Sequence, residues 1–377
     1  MNVVIAGAGI GGLTLAAALQ REGVSVRLFE RAPKLAPVGA GLVVQINAMR
    51  ALAQYGLVDA VLSAGAALDE SQVRDWRGRV LTRASMAEQA KRFGQPLVAA
   101  HRARLHDALL GLINRDTLTL GRAVTAYDER EDHFVVTLDD GQTLPADLLV
   151  GADGLHSRVR TQLLGDAPTR YSGYTSWRGI CSTKGLALSG AMSESWGAGL
   201  RFGIVPIGFD ELYWFATENA PPGGKDGDVV AELLARFGAW HAPIGDILRS
   251  TSPERIIRTD ISDRVPVTRW TSARVALLGD AAHPMTPNLG QGACQAIEDA
   301  VVLSKLLAKG GAVKAALGEY EARRVARANG IVTQAHRIGA MGQLENPLAR
   351  GLRDGVLRLF GSRLGNAGLD ALYGFSV

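Results

Sequence analysis

Cysteine is scarce in this chain of 377 residues: Cys181 and Cys294 are its only two. Two cysteines so far apart give neither a disulfide framework nor a zinc-type ligand spacing, and they suit a reducing, cytoplasmic setting. The seven histidines form no HExxH pattern, so no metal centre is expected. A GxSxG nucleophile elbow and a GxxxxGK(S/T) phosphate loop are also missing, which argues against serine-hydrolase and P-loop chemistry. The net charge of +4 is spread along the chain with no Lys/Arg block, and nucleic acid is not an expected partner. Long apolar runs are lacking as well. Val3 to Leu19 is free of charge, but it is studded with glycine, marginal in length for a span, and preceded only by Met1 and Asn2. Neither a targeting signal nor an integral membrane segment is expected.

What is present is an ordinary globular composition, 47% hydrophobic and 21% charged. At about 150 residues per domain, the length allows two to three domains. Glycine is abundant, 45 residues, roughly 12% against a usual ~7%. Such a chain has many tight turns or close approaches of backbone to a ligand.

The order of elements points to an α/β fold. Residues 2–6 (NVVIA) are a short β-rich run, followed by a glycine-rich turn, an apolar stretch to Leu19 and the alternating VSVRLF of 24–29. Strand, turn, helix and strand make a βαβ unit. Helices are predicted at 47–64 and 102–113, strands at 117–124 and 133–138 with an Asp140-Gly141 turn, and a buried strand at 148–150. From Tyr171 to Arg264 aromatic residues cluster and the pattern becomes that of an antiparallel sheet, broken by a loop at 221–228. Residues 274–279 return to a buried strand, and 291–308 and 313–345 read as helices. The predicted domains are therefore 1–170, a dinucleotide-binding unit that lends part of 70–100 to the second domain; 171–264, an inserted substrate domain; and 265–377, a return to the first domain plus C-terminal helices. In 347–377, Leu348, Leu352, Val356, Leu359 and Phe360 recur at loose helical spacing.

Three motifs carry chemistry. Gly7-x-Gly9-x-x-Gly12 opens a helix straight after a strand, where glycines let the backbone approach a pyrophosphate at the helix N-terminus. Glu30 ends the second strand, where an acid bonds ribose hydroxyls. The second motif is DLLVGADGLHSRVR at 147–160, and the third is VALLGDAAHPMTPNLGQGACQAIEDA at 275–300. In the third, a strand ends in Gly279-Asp280, whose carboxylate can accept hydrogen bonds from a sugar-like chain, and a Pro287–Gly292 segment opens a helix. The free N–H groups of that helix favour an electron-rich edge.

In this order the three motifs resemble those of the class A, single-component flavoprotein monooxygenases of the p-hydroxybenzoate-hydroxylase type. Among these, the chain looks nearest to alkylquinolone 3-hydroxylases and FAD-dependent urate hydroxylase. The resemblance implies a Rossmann-type FAD domain, FAD as cofactor, NADH or NADPH as a transient reductant, and O₂ as co-substrate. It implies hydroxylation of an electron-rich aromatic or heteroaromatic ring through a C4a-hydroperoxyflavin. No second glycine-rich dinucleotide motif occurs, which fits a nicotinamide that binds only in passing.

The residues that the resemblance assigns to FAD are Gly7, Gly9, Gly12, Glu30, Arg31, Val43, Arg102, Val124, Asp153, Asp280, Leu289, Gly290, Gly292 and Ala293. Arg158 and Arg160 are open between a nicotinamide contact and a structural ion pair. Arg201 and Tyr213, 12 apart around Gly208-Phe209-Asp210, read as two strands of a hairpin facing the substrate, and His283 is the third catalytic candidate. Gln45 and Asn47 fall in a loop that borders the flavin in relatives. Trp177 reads as core or pocket wall. An epoxidase acting on a lipophilic olefin or quinone-type ring, and an FAD-binding sensor without turnover, stand as alternatives. A monomer or homodimer is expected. The C-terminal segment reads as a packing helix, a dimer contact or a peripheral membrane contact.

Overall fold

The computed structural model describes residues 1–35, 40–131 and 133–377. Its first layer is a five-stranded sheet ordered Val275–Leu277, Leu148–Gly151, Asn2–Ala6, Ser25–Glu30 and Leu118–Leu120, with every pair parallel. Parallel strands covered on both faces read as continuous apolar runs rather than alternating ones, and Val3 to Ala6 are all buried. The charge-free stretch noted above becomes the central strand plus the helix Ile10–Arg21, buried from Ile10 to Leu19. That helix packs on the long helix Gly292–Ala308.

The second layer is a seven-stranded sheet ordered Ile257–Asp263, Arg170–Ser182, Glu211–Asn219, Leu200–Gly208, Met192–Trp196, Glu70–Asp75 and Val80–Ser85. It is antiparallel except where Met192–Trp196 runs beside Glu70–Asp75. The aromatic cluster of the middle region is its core. Phe202 stacks on Trp214 at 5.5 Å, and Trp177 and Phe237 pack in the same cluster. Two short helices, Val229–Phe237 and Ile244–Arg249, cover this side; the alternation of the sequence gave no sign of them. A small sheet, Gly41–Val44, Val98–His101 and Gly65–Ala67, packs against the seven-stranded sheet.

The chain closes with helices Val313–Gly342 and Pro347–Tyr373. The helix predicted over 47–64 is two helices, Ile46–Ala53 and Val58–Ala64. Gly56 breaks it with φ +62°, a conformation that costs glycine nothing. The architecture is α/β with a Rossmann-type layer, an antiparallel-sheet layer and a C-terminal helical segment. Among the described residues, no helix is long and apolar enough to cross a membrane, and no group of three His, Cys, Asp or Glu side chains is placed to hold a metal.

Candidate active site

The two layers meet at a cavity of about 400 Å³. One wall comes from the ends of the parallel strands. Gly7 adopts φ +101°, and a side chain at Gly12 would run into the Gly7 carbonyl oxygen, so the turn needs glycine at both places. Gly9 faces open cavity, with nothing within 4 Å of the position a Cβ would take. The Glu30 carboxylate accepts hydrogen bonds from the Ala8 N–H (3.0 Å) and the Ala32 N–H (2.9 Å), which fixes it beside the same turn. Arg102 begins the helix Arg102–Leu110 and lines the cavity, as does Val43. Val124 is buried at the start of its strand, next to the Arg122 N–H that donates to the Glu30 carbonyl. Arg31 is exposed.

Asp153 accepts from the backbone N–H groups of Arg158 (2.9 Å) and Val159 (3.4 Å) through one oxygen, while its other oxygen is buried without a partner. Burial raises its pKa, against the opposing pull of hydrogen bonds from Ser157 and those backbone groups. Asp280 is exposed on the cavity wall, and no side chain or backbone group of the described residues hydrogen-bonds to its carboxylate. Loss of bulk water raises its pKa, and His283 and Arg102 only partly offset this. Leu289 ends the short turn Pro287–Leu289; Gly290 follows with φ +61°, and the next helix starts at Gly292 and Ala293.

Both helix N-termini, at Ile10 and at Gly292, lack a capping side chain and an acidic residue in the first turn. Their first N–H groups therefore have no intrahelical partner. A dinucleotide with an electron-rich ring edge fits this set: one uncapped helix would suit a pyrophosphate, the other an electron-rich ring edge, and Glu30 and Asp280 would offer acceptors to sugar hydroxyls.

Support for this wall comes from a buried charged cluster. The Arg324 guanidinium donates to Asp299 Oδ1 at 2.7 Å and to Glu298, and Arg327 donates to both Glu298 oxygens at 2.7 Å. Asp299 in turn accepts the Gly279 N–H at 3.0 Å and lies 2.6 Å from His283 Nε2. Burial by itself would raise the Asp299 carboxyl, but the charges of His283 and Arg324 and the bonds from His283 and Gly279 win, taking it down to about 2. His283, the third catalytic candidate, stands apart from Arg201 and Tyr213. The residue is 1% exposed, does not line the cavity, and is held against Trp270 and Asp299, where it braces the Gly279-Asp280 turn. Arg160 braces the same turn, donating at 2.9 Å to the carbonyls of Ala281 and Ala282; among the described residues it pairs with backbone oxygens rather than in the ion pair expected as one of its two readings. Gln45 and Asn47 sit at the start of the helix Ile46–Ala53 rather than in a loop. Gln45 donates to the Leu289 carbonyl (2.6 Å) and Asn47 to Gln291 and Glu298.

The opposite wall comes from the seven-stranded sheet. Arg201 pairs in register with Thr217 and Val205 with Tyr213. Arg201 and Tyr213 are thus on adjacent strands with an even offset and share a face, and both line the cavity. Phe209 and Asp210 make the hairpin turn with φ +58° and +56°. Arg201 is 2% exposed; its Nε donates to Gln343 (2.6 Å), its Nη1 to Glu194 (3.0 Å), and its guanidinium lies 5.3 Å from the Tyr174 ring centre. Burial raises the Tyr213 hydroxyl pKa; Arg178 opposes this and Glu194 adds to it. Trp177 is core, its indole N–H donating to Asp226 at 2.8 Å.

Arg178, Glu194 and Gln343 were missed by sequence reasoning. For Arg178 a signal existed: with Trp177 pointing into the core, period-two alternation sends Ser176 and Arg178 to the other face, and both line the cavity. For Glu194 a signal existed too, since it lies seven residues before Arg201 on the neighbouring hairpin strand and shares its face; Gln343 had none, because it reaches Arg201 from the end of a distant helix.

Parallel-sheet turns with uncapped helix ends facing a side-chain wall define a nucleotide-dependent flavoprotein. The family model described as "FAD binding domain" matches residues 1–335, and the chain belongs to this family. It is 48% identical over 363 residues to aurachin C monooxygenase/isomerase of Stigmatella aurantiaca, covering 96% of this chain and 95% of that one. It is 34% identical over 364 residues to 2-heptyl-3-hydroxy-4(1H)-quinolone synthase of Pseudomonas aeruginosa, covering 95% and 94%. Klebsiella pneumoniae HpxO, solved with FAD and uric acid, superposes with a TM-score of 0.89 at 32% identity over 95% of this chain and 92% of that one. The chain is an FAD-dependent monooxygenase.

Proposed function

We propose that this monooxygenase hydroxylates an electron-rich heteroaromatic ring of the quinolone type, using NADH or NADPH and O₂. The observation that carries the reading is the continuity of the cavity from Asp280 and Gly290 on one wall to Arg178, Arg201 and Tyr213 on the other. The names of two relatives support the ring class: one is an aurachin C monooxygenase/isomerase and one makes a 3-hydroxylated quinolone.

In this reading Gly7, Gly9, Gly12, Glu30, Arg31, Val43, Arg102, Val124, Asp153, Asp280, Leu289, Gly290, Gly292 and Ala293 would hold FAD. Bound FAD, reduced by the nicotinamide, supplies the activated oxygen. The protein's part is orientation and electrostatics. Arg201 cannot swing freely, because Gln343 and Glu194 fix two edges of its guanidinium. It offers the substrate a preset donor at little reorganisation cost. Tyr213 keeps its proton at neutral pH, because burial raises its pKa, so it donates to a ring oxygen. Arg178 stabilises negative charge that builds on that oxygen as the ring attacks. Val205, Phe215 and Met285 line the same cavity and exclude water from the reacting centre. A reducing cytoplasmic setting completes the reading.

The test is nicotinamide oxidation by the FAD-loaded protein against salicylate, hydroxybenzoates, urate, 6-hydroxynicotinate, kynurenate and 2-alkylquinolones, with NADH and NADPH each supplied and products weighed. An alkylquinolone should stimulate most strongly and gain one oxygen atom, with the hydroxyl on a ring carbon. An oxygen bridging two carbons would establish the epoxidase alternative. Bound flavin with a flat response to every ring would overturn the reading in favour of a sensor.

A further inference from the structure

The helix Pro347–Tyr373 carries an apolar row that no part of the described chain covers. Leu348, Leu352, Val356, Leu359 and Phe360 follow one another at steps of four, four, three and one, so they share one side of the helix. They are 85%, 72%, 41%, 75% and 51% exposed. These are five of the twelve large hydrophobic side chains that stand exposed among the described residues, and all five lie within four turns. Singly exposed apolar residues need no explanation, but a contiguous row does.

The other side of the helix is firmly seated. Gly361 packs against Thr82, and Arg353 turns inward over the Trp196 ring (5.0 Å) and donates to the Met341 carbonyl (3.1 Å). The row therefore points away from the protein.

Its rim is basic. Arg358 reaches Asp75 at 3.5 Å and so ties the helix to the turn at residues 75–79. There the half-exposed Trp76 lies under the Arg77 guanidinium (4.8 Å). Arg77, Arg79, Arg358 and Arg363 are all exposed, and Arg363 continues the apolar side of the helix one turn beyond Leu359. The acid that faces them, Asp75, is buried and already bonded to Arg79.

We propose that this helix docks the enzyme on an anionic lipid surface, lying in the interface with its Leu/Phe row in the acyl boundary and its arginines among the headgroups. The first half of the helix, residues 348–363, with apolar residues on one side, arginines around them and Trp76 nearby, has the composition of an interfacial segment. A second copy of the chain is the weaker occupant. Two-fold pairing of the row sets arginine rim against arginine rim, whereas anionic headgroups complement it. Since no described helix can cross a bilayer, the contact lies on the surface.

Both ends of the helix are braced to the active-site cavity. The Tyr373 hydroxyl donates to Gln45 (3.2 Å), whose amide donates to the Leu289 carbonyl. At the other end, Gly342 beside the Met341 carbonyl packs on Arg201. Docking thus sets the cavity immediately behind the lipid-bound element. The proposal does not depend on which ring is oxidised.

The experiment is co-sedimentation of the FAD-loaded enzyme with vesicles of phosphatidylglycerol and phosphatidylcholine in equal parts, and with vesicles of phosphatidylcholine alone. Wild type should partition to the anionic vesicles at least about fivefold better than to the neutral ones, and less as salt is added. The L352E/L359E variant should lose binding, and R77E/R363E should lose the preference for anionic lipid. Both should keep the flavin spectrum and melting temperature of wild type, which separates lost docking from lost folding. The proposal is overturned if wild type binds neither vesicle, or if L352E/L359E binds as wild type does. It is equally overturned if light scattering shows a wild-type dimer that L352E/L359E converts to monomer.

Discussion

The two walls of the cavity are built by different means. The cofactor wall is mostly backbone: turns that need glycine at positions 7 and 12, and two helix starts left uncapped at Ile10 and Gly292. The substrate wall is side chain: Arg178, Glu194, Arg201, Tyr213 and Thr217, projected from one face of four strands, three of them joined as consecutive hairpins. A backbone site needs particular residues at fixed short spacings and tolerates few alternatives. A side-chain site needs only a face, so it can be rewritten residue by residue while the cofactor wall stays intact. In the proposed reading, one wall defines the chemistry and the other selects the molecule to which the chemistry is done.

That contrast can be broken by substitution, and the largest effect should come from the backbone wall. Gly12→Val puts side-chain atoms where the Gly7 carbonyl lies, so FAD affinity should fall more than about hundredfold. Flavin fluorescence titration reads this directly, and a yellow, normally loaded G12V protein would refute the account. Next comes the charged cluster beneath that wall. Arg324→Met leaves Glu298 and Asp299 buried without their main partner, which should cost about 3–5 kcal/mol of stability, measured by chemical denaturation of the FAD-loaded protein. The same cluster sets an acid limit. Asp299 is depressed from 3.8 to about 2, so its stabilising contribution is complete above pH 3.8 and drains away as pH falls towards about 2. Asp299→Asn should flatten that part of the stability curve.

Substitutions on the substrate wall should act on turnover alone. Arg201→Gln and Tyr213→Phe should each lower kcat/KM by about 10- to 100-fold with FAD affinity unchanged; a matching loss of flavin would mean that the walls are not separable. Least affected should be the thiols. Cys294 is fully buried with its pKa pushed up to about 12, and burial raises Cys181 too, so neither should react with iodoacetamide at neutral pH while the protein is folded.

The same contrast explains what could be read from the sequence. The parallel layer was legible because Asn2–Ala6 and the Gly7–Gly12 turn are contiguous, as are the strand Val275–Leu277 and the Gly279-Asp280 turn. The Arg201–Tyr213 pair was legible because a hairpin makes its partners local. Glu194 was overlooked although it lies seven residues before Arg201 on the neighbouring hairpin strand, whereas Gln343 arrives from the end of a helix of 30 residues. His283 reads as a base because a histidine after a Gly-Asp turn resembles one at an open site. Its partner, Asp299, lies a few helical turns further on, and nothing local shows that the ring turns inward.

The buried cluster also sets an order of events in synthesis. The Gly279-Asp280 turn and the Gly292–Ala308 helix are held by Arg324 and Arg327, and the Gln45–Leu289 contact is backed by Tyr373, all of them C-terminal to the elements they hold. A ribosome-bound chain can therefore build its first βαβ unit early and still lack a finished cofactor wall. Flavin capture thus waits on residues that follow the glycine-rich and Gly279-Asp280 turns, and a chain stopped before Arg324 would be made without its yellow colour.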